Sequence, residues 1–397
     1  MVVVEINTVC YGSTGRIMLG IHNEAENQGI TTYSFYALGD IKEKNANVHK
    51  IGSKVSNRLS GMLAHFTGLM GCFSVFQTLK LVRFLKRVNA DIVHLHNIHI
   101  SFLNYPILFG YLKRHNIKVV WTLHDCWAFT GHCPHFSYQK CNKWEKGCYK
   151  CPRYKEYPIS TFDNSKVMYK IKKRCFTGLS NAVLVTPSDW LKSLVEKSFL
   201  SDYPVHVINN GIDIDAFYYT ESDFRKKHNI ENKFVILGVS FGWDNKKGLD
   251  VFIELAERLD SKRFQIVLVG TNDKTDELLP VDIISIHKTS DISEMAQIYS
   301  TADLLLNPTR EEVLGLVNIE ANACGTPVLM FNTGGSPECI NYKSGCCVEC
   351  DDIDAMEKQI IYIEKNRPFS SADCRRQAEK FDKREKYKEY IKLYREI

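Results

Sequence analysis

One rhythm, played twice, constrains this chain more than anything else in it. Short apolar runs of strand length alternate with amphipathic runs of helix length. Residues 2–6, 32–37, 92–95, 119–123 and 182–186 read as buried parallel strands, with helices at 18–28, 79–88 and 106–114 between them. The pattern then restarts. Strands are expected at 234–239, 264–269, 283–286, 304–306 and 327–331, and helices at 248–259, 292–300 and 313–323. Such βαβα alternation predicts doubly wound α/β domains, and 397 residues are too many for one core. The Asn-, Gly- and Asp-rich INNGIDIDAF (208–217) reads as the hinge, giving domains 1–206 and 207–375. The charged helical pattern over 373–397 has Phe381, Tyr387, Tyr390 and Leu393 as its apolar stripe. In two facing α/β domains the carboxyl ends of both sheets would border a shared cleft, where ligands of such folds bind.

Composition narrows the setting. The apolar runs fall far short of the roughly 18 residues that a spanning helix needs. No basic stretch precedes the first apolar run, so a cytoplasmic protein is expected. The net charge of +5 conceals an asymmetry. Residues 1–180 carry 24 Lys and Arg against 10 Asp and Glu; the remainder carries 27 against 36. The basic half suits an anionic partner such as a membrane leaflet, a polyprenyl-phosphate carrier or nucleic acid, and a solvated basic face explains it equally well. Most of the 14 cysteines, Cys10, Cys72, Cys324 and Cys339 among them, read as small core residues rather than disulfides.

The strongest motif is PTREEVLGLVNIEANACGTPVLMFNTGGSPE, residues 308–338. Gly315 stands near the start of the helix carrying Glu320, with Leu316 and Val317 in its first turn. A helix N-terminus offers unpaired N–H groups and partial positive charge to a pyrophosphate, and Gly315 permits close backbone approach. Glu320 suits the two hydroxyls of a ribose, and Glu312, with seven residues between the two, suits the hydroxyls of a donor sugar.

This stretch resembles the signature of family four of the retaining GT-B glycosyltransferases: Glu, a short Gly-containing turn, Leu-Val and Glu-Ala. The resemblance covers nearly the whole chain, through YGSTGRI (11–17), DIVHLHN (91–97), WTLHD (121–125), TPSDWL (186–191), INNGID (208–213), IYSTADLLLNPT (298–309) and FDKREKYKEYIKLYREI (381–397). It implies a GT-B fold of two Rossmann-like domains facing a cleft, with a terminal helix, 376–397, crossing back to the first domain. It also implies retaining transfer from a nucleotide-diphosphate sugar, UDP- or GDP-linked, to a glycan or polyprenyl-linked acceptor, in surface polysaccharide assembly.

By the same carry-over His124 stands at the reaction centre beside the anomeric carbon, and Asp125 either orients it or caps the next segment. Lys247 neutralises the donor pyrophosphate, with Lys246 beside it and Gly15 in the first Gly-rich loop. Where the family has an arginine shortly after the strand, Phe241 stands here, so Lys246, Arg16 or Arg310 must replace its charge. No general base or nucleophile is evident; front-face attack, in which the leaving phosphate takes the acceptor's proton, fits that pattern without a metal cofactor.

Two segments carry separate expectations. Cys133, Cys141, Cys148 and Cys151, spaced C-x7-C-x6-C-x2-C in the Cys-rich insert 126–152, suit a structural Zn²⁺; an Fe–S cluster and free cysteines are the other readings. Between His49 and Val88, basic residues interleave with Leu, Met and Phe, as in a peripheral membrane contact at the inner face of the cell membrane or in an ordinary helix pair. Another GT-B activity, such as an epimerase, and a non-catalytic anion-binding protein are the competing functions. No recognition-helix or RNA-module pattern accompanies the basic half, and nucleic acid is not an expected partner.

Overall fold

The computed structural model describes residues 1–41 and 45–397 and divides into two compact units, residues 1–209 with 384–397 and residues 210–383. In the first, β1 (Val2–Val9), α1 (Gly12–Asn27), β2 (Thr31–Leu38), β3 (Val48–Lys50), α2 (Lys54–Thr67), α3 (Val75–Arg87), β4 (Ile92–Leu95), α4 (Tyr105–Arg114), β5 (Lys118–Thr122), α5 (Ser165–Phe176), β6 (Ala182–Thr186), α6 (Asp189–Val195) and β7 (Val205–Val207) follow one another. The strands form one parallel sheet ordered β3-β2-β1-β4-β5-β6-β7. The order reverses between β1 and β4, the place where open α/β sheets leave a crevice.

The second unit repeats the plan with α7 (Phe224–Lys227), β8 (Phe234–Val239), α8 (Leu249–Arg258), β9 (Phe264–Val269), α9 (Asp273–Asp276), β10 (Ile284–Ile286), α10 (Ile292–Thr301), β11 (Leu304–Asn307), α11 (Leu316–Ala323), β12 (Val328–Phe331), β13 (Gly345–Val348), α12 (Ile353–Asn366) and α13 (Ser371–Glu379). Its parallel sheet runs β10-β9-β8-β11-β12-β13, with the reversal between β8 and β11. Both faces are buried. On β8, Val235 and Leu237 enter one core with Val267, Leu305 and Met330, while Phe234 and Ile236 enter another with Ile266, Leu304 and Leu329. That is why these strands read as unbroken apolar runs.

The structure corrects several boundaries. Strand β7 still pairs with β6, so the first unit runs to Asn209 rather than 206. The C-terminal pattern is two helices, α13 and α14 (Lys383–Glu396), not one. The break serves the hinge segment: Ile212 N–H donates to Phe381 O at 2.8 Å and Lys383 N–H donates back to Ile212 O at 2.9 Å. The part of the C-terminal stretch that belongs to the first unit therefore begins at 384, not 376. There Tyr390, Ile391, Leu393 and Tyr394 pack with Val3, Ile17, Ile21, Ile92 and Val120. The helix at 313–323 begins only at Leu316, because Gly315 adopts a left-handed conformation (φ 86°) as its N-cap.

Among the described residues no helix is long and apolar enough to cross a membrane. If α14 belongs to the first core, Leu393→Ala should cost about 2–5 kcal/mol. An unchanged urea midpoint would show that the helix merely rests on the surface.

Candidate functional site

In the first unit the register alone builds a polar row. Glu5 on β1 pairs with Ser34 on β2 and with His94 on β4. All three are buried, and His96 follows two residues on, on the same face as His94. Ser34 Oγ donates to Glu5 Oε2 at 2.9 Å and meets His22 Nδ1 at 2.8 Å. His94 uses both ring nitrogens, with Tyr394 OH at 2.5 Å and Thr122 Oγ1 at 2.8 Å. Glu5 Oε1 lies 3.6 Å from His94 Nδ1 and 3.7 Å from His96 Nε2. Glu5, His94 and His96 group their ligand atoms closely enough for a metal ion. With both nitrogens of His94 committed to hydroxyls, however, no lone pair is left on it to bind one.

His124, two residues past Thr122 where β5 ends, stands next in this line, its Nε2 3.2 Å from His96 Nδ1. Its own Nδ1 is buried and has no protein partner. The Glu5 carboxylate favours a proton on His96 Nε2; His96 Nδ1 then accepts from His124 Nε2–H, leaving His124 Nδ1 as an acceptor. Burial drives the pKa of His94, His96 and His124 from 6.5 down to about 3, helped at His124 by the charge His96 would carry. His124 is thus a neutral imidazole at physiological pH. Asp125 does not orient it. Its Oδ1 accepts the Trp127 N–H at 2.8 Å and lies 3.3 Å from His99 Nε2. Burial works to raise the Asp125 pKa, but His99 and the Trp127 N–H outweigh it and hold the carboxyl below its usual range.

In the second unit the two loops at the strand reversal meet. The loop after β8 carries Lys247, whose Nζ lies 3.0 Å from Glu312 Oε2 in the loop after β11. The Glu312 charge raises the Lys247 pKa, so the ammonium stays charged. Glu312 Oε1 accepts from Val313 N–H at 3.1 Å. Lys246 contributes its backbone: its carbonyl accepts from Arg310 N–H at 2.8 Å and from Thr309 Oγ1 at 3.3 Å.

Helix α11 starts beside this pair with no side-chain cap and no acidic residue in its first turn. Leu316 and Val317 pack their side chains toward the core, so what they can offer a ligand is backbone N–H. Glu320, further along α11, is half-exposed, and its Oε2 accepts from Tyr299 OH at 2.9 Å.

Lys246, Lys247, Glu312, Gly315, Leu316, Val317 and Glu320 thus gather in the second unit, while His124 and Gly15 lie in the first. Gly15 is buried within α1 rather than in the loop before it, and a Cβ there would sit 2.5 Å from the Cys10 carbonyl carbon. Arg310 is not the missing phosphate clamp. Its guanidinium makes a bidentate pair with Asp250 at 2.8 Å and a 2.6 Å contact with Asp351. Phe241 is fully exposed, and Arg16 is an exposed side chain of the first unit. Sequence reading missed Glu5, His94 and His96. Their signals were a lone carboxylate inside VVVEI and two histidines alternating with Val93 and Leu95.

Two Rossmann-like units, each built on a parallel sheet whose strand order reverses, make up a fold of the GT-B type. The Glycosyltransferase Family 4 model matches residues 32–216 and the Glycosyl transferases group 1 model matches residues 220–386. The chain belongs to this glycosyltransferase family. It is similar to the putative colanic acid biosynthesis glycosyl transferase WcaC of Escherichia coli K12, with 22% identity over 360 residues, 86% of this chain and 85% of that one. Among solved structures, sucrose-phosphate synthase from Thermosynechococcus elongatus superposes with a TM-score of 0.73 at 17% identity, covering 100% of this chain and 98% of that one. Anabaena HepE, solved with UDP and glucose, gives 0.68 at 15% identity, covering 100% of both chains.

The buried histidines set a pH dependence. Each is neutral in the folded chain but titrates at its ordinary 6.5 once unfolded, so the unfolded state takes up protons first as pH falls. Their contribution is complete above about 6.5 and is lost on acidification toward about 3. His94 and His96 should each remove about 2 kcal/mol of stability between pH 7 and pH 5. Urea unfolding at the two pH values tests this: the midpoint should fall, less so in His96→Asn, and equal midpoints would refute it.

Proposed function

We propose that this glycosyltransferase takes its sugar from a UDP- or GDP-linked donor and passes it, with retention, to a glycan or polyprenyl-linked acceptor in bacterial surface polysaccharide assembly. The observation that carries this reading is the Lys247–Glu312 pair beside the uncapped start of α11. An ammonium and outward N–H groups suit a diphosphate, and their attraction grows as the glycosidic bond breaks and charge moves onto the leaving group. Glu320 lies on the same helix for the ribose hydroxyls.

Both oxygens of Glu312 are already engaged, which suits a group that holds a sugar hydroxyl rather than a nucleophile. Retention then follows from front-face attack: the acceptor oxygen bonds to the anomeric carbon, the bond to the diphosphate breaks, and the diphosphate oxygen takes the acceptor's proton. His124 Nδ1, without a protein partner, suits a hydroxyl of the transferred sugar. The UDP bound by HepE and the colanic acid pathway of WcaC support the donor class and the setting.

We place the acceptor side at an anionic membrane. An ordinary amphipathic helix turns its apolar stripe inward, yet α2 buries only Ser60 and Ala64. Val55, Leu59, Met62, Leu63 and Phe66 are all exposed, with Phe76 of α3 exposed as well. Lys54, Arg58, Lys80, Arg83 and Arg87 are exposed on the same two helices. Apolar side chains ringed by cations complement the headgroup boundary of an anionic leaflet.

Calorimetry against UDP, GDP, ADP and CMP tests the donor site. One diphosphate should bind, and Glu320→Ala and Lys247→Ala should each weaken it roughly 10- to 100-fold. Binding by none, or unchanged binding in both variants, would sink the donor assignment. For the membrane, flotation with phosphatidylglycerol vesicles should capture the protein at low salt and release it at high salt. Leu59→Asp with Phe66→Asp should abolish capture; failure of the parent protein to float would exclude the contact.

A further inference from the structure

Between β5 and α5 the chain runs from 123 to 164 with only two short 3₁₀ turns, Trp127–Phe129 and Lys143–Glu145. Ordering so long an irregular stretch costs conformational entropy, and such stretches are uncommon inside compact domains unless something fastens them. Its first part is held by apolar packing, with Trp127 against Tyr105 and Phe176, but within 137–157 the one buried apolar side chain is Trp144, on Phe129 and Phe136 with ring centroids 5.2 and 4.9 Å away.

Four of the five cysteines of this segment border the same space. Cys133, Cys141, Cys148 and Cys151 line one cavity of about 20 Å³, room for a single small ion or water. The backbone is shaped to serve a sulfur there. Gly131 N–H donates to Cys148 Sγ at 3.1 Å, and a Cβ on Gly131 would lie 2.6 Å from the Cys148 Cβ.

A second observation is one of charge. Lys172 on α5 is fully buried, yet among the described residues it forms no ion pair with a carboxylate. Its ammonium donates to Trp127 O at 2.7 Å and lies 3.4 Å from the Trp127 ring centroid. Burial pulls its pKa down, to about 7, and the groups that oppose this most are Cys148 and Cys133, ahead of Asp125. A buried cation needs an anion, and neutral thiols do not supply one.

We propose that Cys133, Cys141, Cys148 and Cys151 bind a structural Zn²⁺ as thiolates, with Lys172 as the buried counter-charge of the anionic centre. Four thiols surrender four protons to solvent, and the four thiolates with Zn²⁺ leave a net charge of −2, which Lys172 partly offsets. With Zn–S bonds of about 2.3 Å, the sulfurs of a filled tetrahedron stand about 3.8 Å apart. The present spacing is wider: among the described residues only Glu5, His94 and His96 bring three ligand atoms within 4.8 Å of one another. Loading the ion therefore draws the cysteine side chains inward around the existing cavity. Since all four positions are filled by the chain, the ion fastens the segment and meets no substrate. Its effect reaches the transferase centre through Lys172, Trp127 and Asp125, the neighbour of His124.

The test is elemental analysis of the full chain, grown with zinc and purified without chelator, and it reads metal rather than transfer. About one zinc per chain is expected, and Co²⁺-loaded protein should show the d–d bands of a tetrahedral tetrathiolate. Cys148→Ser and Cys151→Ser should lose the ion. Lys172→Met, which keeps every ligand, should weaken zinc about tenfold or more in competition with a chromophoric chelator. Should the serine variants fail to fold, release of zinc from the parent protein by a mercurial gives the stoichiometry alone. Zinc below about a tenth of an equivalent with four thiols freely reactive, iron in its place, or a disulfide among the four would each overturn the proposal.

Discussion

The site in the second unit depends on backbone lying directly against backbone. A Cβ on Gly334 would fall 1.8 Å from the Glu312 carbonyl oxygen, and one on Gly248 would fall 2.5 Å from the Pro308 carbonyl oxygen. Both glycines have left-handed φ angles, 58° and 76°. The loop from Pro308 to Gly315 is thus clamped between the loops after β8 and β12, with no side chain as a spacer. Arg310 tightens the clamp by gripping Asp250 and Asp351, and Thr333 Oγ1 ties the far side to Thr309 O at 2.6 Å. Lys247 and Glu312 meet because three backbones have already met. Such preorganisation fixes the charged pair in one arrangement without help from a ligand.

The first unit solves a different problem. A carboxylate in a central strand is costly to bury unless its oxygens find partners. Glu5 Oε2 has the Ser34 hydroxyl, while Oε1 faces two imidazoles at 3.6 and 3.7 Å, beyond hydrogen-bond reach; Tyr390 and Tyr394 of α14 close the row by bonding Thr122 and His94. The result is a line of polar groups that begins under the sheet and ends at His124. Its imidazoles stay neutral because they are dry, so His124 acts as a hydrogen-bonding group rather than as a cation. Asp125, the obvious neighbour to orient it, is turned instead toward the Cys-rich segment, and His96 takes the orienting position.

Much of this was legible in the sequence because both sheets are buried on both faces. Apolar runs such as 234–239 and 266–269 fall within β8 and β9, and the Gly and Glu of 308–338 mark the turn before α11. Strands β3 and β7 were not legible: VHK and VHV are too short to carry a pattern and are strands only because β2 and β6 offer edges to pair with. The break at 380–382 was hidden for the same reason, since it is set by Ile212, far away in sequence. Arg310 looked like a phosphate ligand because its chemistry fits one; only coordinates reveal that Asp250 and Asp351 already hold it. The row from Ser34 through Glu5 to His94 needed the register of three strands.

Helix α14 also has a consequence for how the molecule is made. The first unit takes its last core residues, among them Tyr394 with its hydroxyl on His94, from the far end of the chain. The whole second unit is synthesised in between, as an insertion in its partner. During synthesis the second unit has all of its sequence first and can close its core while the earlier-made unit still waits with part of its core uncovered and one ring nitrogen of a buried histidine without its hydroxyl. Domains usually fold in the order in which they emerge; here the order of completion is reversed, and the hydrogen-bonded row behind His124 is finished only with the final helix.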